Sequence, residues 1–246
     1  MVILNGAVLC YAVYFIGGVI DLNWDLVLPT LKQLWQGFGY TFGIFFFTII
    51  FSIPLGLLVA RGRMSKNPVV SSLVRIYISI MRGTPLMLQL LLVYFGPYYL
   101  FKVSTGNINI GPFNYRFIAT VIGFSLNYAA YFAEIFRGGI QSMPIGQYEA
   151  AQVLGFTRMQ TYFKIILPQV IKRVLPSVTN EVITLVKDTS LAQVLAVTEM
   201  FTVAKELASS QVSVMPFIAA GLFYYIANAI VEISMNRVEK SMSYYS

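Results

Sequence analysis

The stretch Glu149-Ala150-Ala151-Gln152-Val153-Leu154-Gly155-Phe156-Thr157-Arg158-Met159-Gln160-Thr161-Tyr162-Phe163-Lys164-Ile165-Ile166-Leu167-Pro168 lies between two long apolar runs and reads as two short helices hinged at a glycine. Gly155 can take the left-handed conformation that ends a helix, and Thr157 with Gln160 has the spacing of a capping box that starts the next one. In the second helix Met159, Tyr162, Phe163, Ile166 and Leu167 recur at i, i+3, i+4, i+7 and i+8, which gives one apolar stripe. In the first, Ala150, Ala151 and Gly155 are small enough to let another backbone come close. Such a stripe needs a surface to bury it, so the hairpin is expected to be a docking element rather than a hairpin packed only on its own chain.

The flanking runs set the class. The chain is 57% hydrophobic and 11% charged, with a mean hydropathy of +0.72, far from the roughly 25% charge of a soluble domain. Runs free of Asp, Glu, Lys and Arg cover residues 33–60, 83–101, 117–133 and 207–231, against the about 20 residues that a helix needs to cross a bilayer. The third is short, and its helix is expected to continue past Glu134. A fifth span, about residues 175–198, is apolar except for Glu181, Lys187 and Asp188, so a plain hydropathy scan underrates it. These runs are too long and continuous for the alternating strands of a membrane barrel. The chain is therefore read as an all-α integral membrane protein with five core transmembrane helices. Residues 1–20 are uncharged too, but they lack the Lys or Arg expected ahead of a signal peptide's apolar core. They are read as either a sixth span or an upstream extension.

Orientation follows from positive charge, since short cytoplasmic loops are enriched in Lys and Arg. Eleven of these residues (Arg61, Arg63, Lys66, Arg75, Arg137, Arg158, Lys164, Lys172, Arg173, Arg237 and Lys240) fall on one set of connections, and four (Lys32, Lys102, Arg116 and Lys205) on the other. The glycine-hinged loop and the C-terminus are thereby predicted to be cytoplasmic. The net charge of +7 needs no nucleic acid to explain it, because its asymmetry orients the chain and attracts anionic lipid headgroups.

Missing residue types exclude several chemistries. The sequence has no histidine, and Cys10 is its one cysteine, which removes zinc sites built from Cys and His, Cys/His nucleophile pairs and intrachain disulfides. It has no G-x-x-x-x-G-K-[ST] phosphate loop. If ATP drives this chain, the hydrolysing subunit is another polypeptide, and with it ATP and magnesium; no cofactor is expected here. An intramembrane enzyme would need a catalytic constellation that the sequence does not present.

Within the second span Pro85 removes a backbone donor and clashes with the carbonyl of Met81, while Gly83 loosens the chain beside it. A kink or short unwinding is expected there. In a bilayer such a break is tolerated only against protein or a water-lined cavity, and Arg82 stands next to it. In the fourth span the seven-residue separation places Glu181 and Asp188 within about 20° of each other and roughly 10 Å apart along the axis, with Lys187 about 100° around. Glu134 and Arg137, at i and i+3, read as an ion pair on a helix surface.

The hinged segment resembles the EAA loop of permease subunits in ATP-binding-cassette importers: Glu149-Ala150-Ala151, three residues, Gly155, nine residues, then Ile165-x-Leu167-Pro168. Met81-Arg82-Gly83-Thr84-Pro85-Leu86 with Gln89 is similar to the polar amino acid branch of that family, which serves histidine, arginine, lysine, glutamine, glutamate and opine uptake. Tyr131-Phe132-Ala133-Glu134 with Arg137, and Asn180-Glu181 through Lys187-Asp188-Thr189-Ser190-Leu191, resemble the same branch. The resemblance starts near Asn23-Trp24-Asp25. It implies an uncertain N-terminal segment over residues 1–21 and a type I importer permease domain over 22–246, with the coupling loop at about 142–168. It further implies partner ATPase subunits contacted through Glu149, Ala150, Ala151, Gly155, Leu167 and Pro168, a second permease subunit, the same chain or a related one, and an external amino-acid-binding protein. The expected location is the bacterial cytoplasmic membrane.

A zwitterionic substrate calls for both an anion and a cation in its path. Lys187 or Arg82, beside Thr84, is expected to meet the carboxylate, and Glu181 or Asp188 the ammonium or a basic side chain. The competing reading of each residue taken singly is an interhelical salt bridge. An ion-coupled secondary transporter, with Glu181 and Asp188 as its coupling groups, is the alternative function, and it would need no docking loop.

Overall fold

The computed structural model describes residues 24–102, 108–110 and 113–242. The N-terminal stretch 1–20 and much of the outer loop 103–112 lie outside the described residues, so the reading of a sixth span is not addressed.

The first helix, α1 (Trp24–Arg63), has 40 residues and Pro29 and Pro54 in its interior. Its buried stripe is built largely from small or hydroxylated residues: Thr30, Gly37, Thr41, Thr48, Ser52, Gly56 and Ala60, with Leu34 and Ile44 among them. Small side chains permit the close helix contact that drives association in lipid, where there is no hydrophobic gain between spans. The stripe packs on α4 (Tyr115–Gln141). Gly43 lies against Phe117 and Gly56 against Phe132, so the two helices run parallel. Ala129, Ala130 and Ala133 of α4 are completely buried.

Between them the chain makes α2 (Pro68–Gly83) and α3 (Leu86–Phe101), whose axes are bent by 113° at the expected break. Thr84 and Pro85 are both extended, with φ/ψ of −120°/150° and −61°/131°. This is the conformation that a proline forces on its predecessor. The apolar run 83–101 is thus only the second half of a broken span. Beyond α3, strands β1 (Asn109–Ile110) and β2 (Phe113–Asn114) pair antiparallel, and Asn114 then caps α4 by accepting from Phe117 N–H.

After α4 comes a short helix α5 (Ile145–Val153), the hinge, a single turn α6 (Arg158–Gln160), a π-helical turn over Thr161–Ile166, and α7 (Leu167–Asp188). The fourth span does not stay α-helical to residue 198. A 3₁₀ segment, Thr189–Leu195, replaces it and ends at Ala196 in a left-handed conformation. The apolar run 207–231 is also divided. The helix α8 (Met200–Gln211) ends at Val212, φ 47°, and α9 (Met215–Ser241) starts anew. The run of uncharged residues could not show this, because Lys205 and Glu206 divide α8 and only residues 207–211 of it fall within the run.

By length and composition α1, α4 and α9 can each cross a membrane, and the bent α2–α3 pair makes a fourth crossing. α7, the fourth span in chain order, packs against both α4 and α9. Gly139 of α4 meets Val170 and Val174 near one end of α7, and Tyr128 meets Asp188 near the other, so α7 runs antiparallel to α4. Tyr128 stands midway along α4, which puts Asp188 at mid-span.

Candidate functional site

Asp188 Oδ2 accepts the hydroxyl of the fully buried Tyr128 at 2.7 Å. The Tyr128 ring lies 6.2 Å from that of Tyr131, one turn less one residue along α4. Over Tyr131 sits the guanidinium of Arg82, 5.2 Å from the ring centroid, a cation–π distance. Arg82 and Asp188 are thus both held against α4, through Tyr131 and Tyr128. Glu181 is half-buried, about two turns before Asp188 on α7. Lys187 is exposed and lies within the electrostatic reach of Asp188. Thr84 is exposed, but its hydroxyl is spent locally, donating to Ile80 carbonyl at 2.8 Å.

The exposed side of α7 is polar along most of its length: Arg173, Ser177, Asn180, Thr184 and Lys187. Over residues 215–230 of α9 the exposed side chains are instead Phe217, Ile218, Leu222, Tyr225, Ile226 and Ile230. A helix meeting lipid looks like α9, whereas one bearing ionisable groups at this depth faces protein or water. The exposed polar face of α7 and the α2–α3 break therefore line a polar cavity or a protein interface.

At the break itself the carbonyl of Met81 loses its helical partner, since Pro85 has no N–H. Two buried side chains replace it: Asn127 Nδ2 donates to Met81 carbonyl at 2.9 Å, and Gln89 Nε2 donates to the same oxygen at 2.9 Å. Gln89 also reaches Thr84 carbonyl at 3.1 Å and Thr84 Oγ1 at 2.9 Å, and its Oε1 accepts from Asn127 at 2.9 Å. Charge-based reading of the sequence passed over Asn127, Tyr128 and Tyr131. The available signal was their spacing, which puts all three near one another on a helix beside the Pro85 break. It also missed Glu199, the cap of α8, because that residue lies outside the uncharged runs.

At the start of α7 the hairpin closes as expected. Gly155 has φ 79°, and Phe156 N–H reaches Ala151 carbonyl at 3.0 Å across the turn. Thr157 and Gln160 form the reciprocal capping box, with bonds of 2.9 Å and 3.3 Å. The apolar residues that follow are unequally buried within this chain. Ile166 is buried, while Met159 and Phe163 are 67% and 54% exposed. The cause is the π turn: Leu167 N–H bonds Tyr162 carbonyl five residues back, just before Pro168 interrupts the normal ladder. Glu149, Ala150 and Gly155 are exposed, Ala151 is buried, and Leu167 and Pro168 are partly buried at the root of α7. With Val153 and Leu154, also exposed, the hairpin presents an apolar edge flanked by Glu149. Arg173 of α7 fastens its near side by donating to the carbonyl and hydroxyl of Ser142.

Glu134 and Arg137 form the expected ion pair, at 2.6 Å, with Arg63 4.0 Å from the same carboxylate. Among the described residues no cluster of three His, Cys, Asp or Glu side chains could hold a metal ion.

A bundle of five crossings with a broken second span, a polar mid-span face and a hinged hairpin at one end defines a solute-conducting membrane subunit. Residues 52–244 match the model of the binding-protein-dependent transport system inner membrane component, and the chain belongs to that family: it is a permease subunit of an ATP-binding-cassette importer, non-catalytic, with the ATPase on a separate subunit. It is 35% identical over 227 residues to the L-cystine transport system permease protein TcyB of Bacillus subtilis, covering 91% of this chain and 93% of that one. With the nopaline transport system permease protein NocM of Agrobacterium fabrum it shares 34% over 209 residues, 84% and 86% of the two chains. The crystal structure of an amino acid ABC transporter with histidines superposes with a TM-score of 0.78 at 28% identity, covering 90% of this chain and 100% of that one. The inward-facing MetNI methionine transporter, at 17% identity and a TM-score of 0.64, shares the fold. The ion-coupled alternative finds no support in these likenesses.

Proposed function

We propose that this chain carries a polar amino acid into the cytoplasm, and that Arg82, Glu181, Lys187 and Asp188 line the route. The observation that carries this reading is that Arg82 lies over Tyr131 and Asp188 accepts from Tyr128, three residues away on α4, so that a cation and a carboxylate can bracket a small zwitterion. Relatives named for cystine, nopaline, glutamine and octopine transport support the substrate class. The acidic pair tilts the preference toward a neutral polar or basic side chain over an acidic one.

The polar face of α7 is covered by a second permease subunit, the same chain or a related one, and the route runs between the two. The hairpin with Glu149, Ala150, Ala151, Gly155, Leu167 and Pro168 docks on the ATPase subunit, which binds ATP and magnesium. Loop and C-terminus lie in the cytoplasm, residues 22–246 form the permease domain, and an external binding protein delivers the solute. Closure of the ATPases rocks the bundles between inward-open and outward-open forms, and the solute biases that change through contacts that differ between the two.

The test is purification of the chain from its native membrane in mild detergent, with identification of the co-purifying soluble ATPase, followed by amino acid uptake in proteoliposomes. An ATPase that is lost on Gly155 substitution and uptake that requires ATP are expected. Uptake that follows an ion gradient with no ATPase present would overturn the proposal.

A further inference from the structure

Asn127 and Tyr131 are one turn apart on α4, and both take hold of the same short piece of α2. Asn127 bonds the carbonyl of Met81, and Tyr131 lies under the guanidinium of the next residue, Arg82. Gln89, one turn into α3, closes the arrangement from the other side of the break and is itself bonded to Asn127. Asn127 and Gln89 are 5% and 6% exposed, so water does not substitute for either. A helix end bent by 113° and followed by two extended residues has no ladder of its own to hold its direction. What holds it is this set of four side-chain donations onto Met81 and Thr84.

We infer that Asn127 and Gln89 are positioning residues for transport: they clamp the α2–α3 break to α4 so that Arg82 is presented over Tyr131, three residues along α4 from Tyr128, which holds Asp188. The inference rests on the reading that Arg82 lines the solute route. Neither residue touches the route through its own polar atoms, which are directed into the break. Their effect passes through the backbone of residues 81–84.

The clamp is read by the accessibility of position 82. In a Cys10→Ser background, Arg82→Cys is labelled in native membranes with a cationic methanethiosulfonate reagent, with and without Asn127→Asp or Gln89→Leu. Asn127→Asp keeps the size of the side chain and removes its N–H donors, so it guards against simple misfolding. Losing donors to a buried carbonyl is expected to change the labelling rate roughly tenfold in either variant, and the double variant no further than the worse single one. In the Arg82-intact chain, reconstituted with its ATPase, the same substitutions are expected to raise the KM for uptake while leaving ATPase co-purification intact. Labelling that does not change, or uptake that stays normal in both clamp variants while Arg82→Gln abolishes it, overturns the clamp alone. Normal uptake by Arg82→Gln removes the pathway role of Arg82 and this inference with it.

Discussion

The hydroxyl of Tyr224 on α9 donates to Glu199 Oε2 at 3.0 Å, tying the last span to the first turn of α8. Glu199 is completely buried, and its oxygens also accept Phe201 N–H at 2.7 Å, Thr202 N–H at 2.6 Å and the Thr202 hydroxyl at 2.9 Å. A carboxylate at a helix N-terminus satisfies donors that have no intrahelical partner and meets the positive end of the helix dipole. Met200 N–H, the next donor, goes to Thr41 of α1 at 3.1 Å. One acidic side chain and one threonine thus join α1, α8 and α9.

Removing that carboxylate is expected to loosen the outer part of the bundle. Glu199→Ala strands four donors and should destabilise the protein by about 2–4 kcal/mol. Glu199→Gln, which keeps an acceptor oxygen, should cost less, and Tyr224→Phe about 1 kcal/mol. Thermal unfolding in detergent ranks the three; equal midpoints for Glu199→Ala and wild type would contradict the cap.

The close approach of α1 and α4 predicts a steric effect at Gly56. A Cβ there would stand 2.8 Å from Phe132 Cβ and 3.3 Å from the carbonyl of Ala129. Gly56→Leu should force the helices apart and cost about 1–3 kcal/mol, visible as a lower unfolding midpoint. Gly39→Leu on the same helix meets nothing within 4 Å and should be tolerated.

At Gly155 the space is open, with nothing within 4 Å of an added Cβ, but φ is 79°. Gly155→Ala therefore tests backbone conformation alone, with a local cost of about 1–2 kcal/mol. Membrane insertion and overall stability should hardly change, while ATPase co-purification and ATP-dependent uptake fall. Full coupling in this variant would mean that the hinge geometry is not what the partner reads.

Glu181→Gln removes one charge from the mid-span group and keeps its shape. Uptake should fall, with expression and unfolding midpoint close to wild type; wild-type uptake would remove Glu181 from the route. Lys187→Met, at an exposed position on the same helix, should behave likewise if the polar face of α7 borders the solute.

Much of this was legible in the sequence because the rules involved are local. Gly155 with the Thr157–Gln160 box, the break at Pro85 and the pairing of Glu134 with Arg137 each depend on residues only a few positions apart. The mid-span group depends on which helices become neighbours. Nothing in the spacing of Tyr128 and Asp188, 60 residues apart, shows that they share a hydrogen bond. Asn127 and Gln89 carry no charge, so a search for ionisable groups passes over them, although a proline in a span leaves a carbonyl for some side chain to serve. The end of α7 at Asp188 was hidden for a different reason. The change to a 3₁₀ turn occurs within Thr189–Leu195, a run with no proline or glycine.

The helix that starts at the hairpin is also the helix that ends at Asp188. With 22 residues in α7, this rod is about 33 Å long, and Arg173 pins its root to Ser142. A tilt of roughly 10° about that root would sweep the far end by about 6 Å, comparable to the width of an amino acid. Under the proposed docking of an ATPase at the hairpin, motion there needs no relay of side chains to reach Asp188, because a single lever already spans the distance.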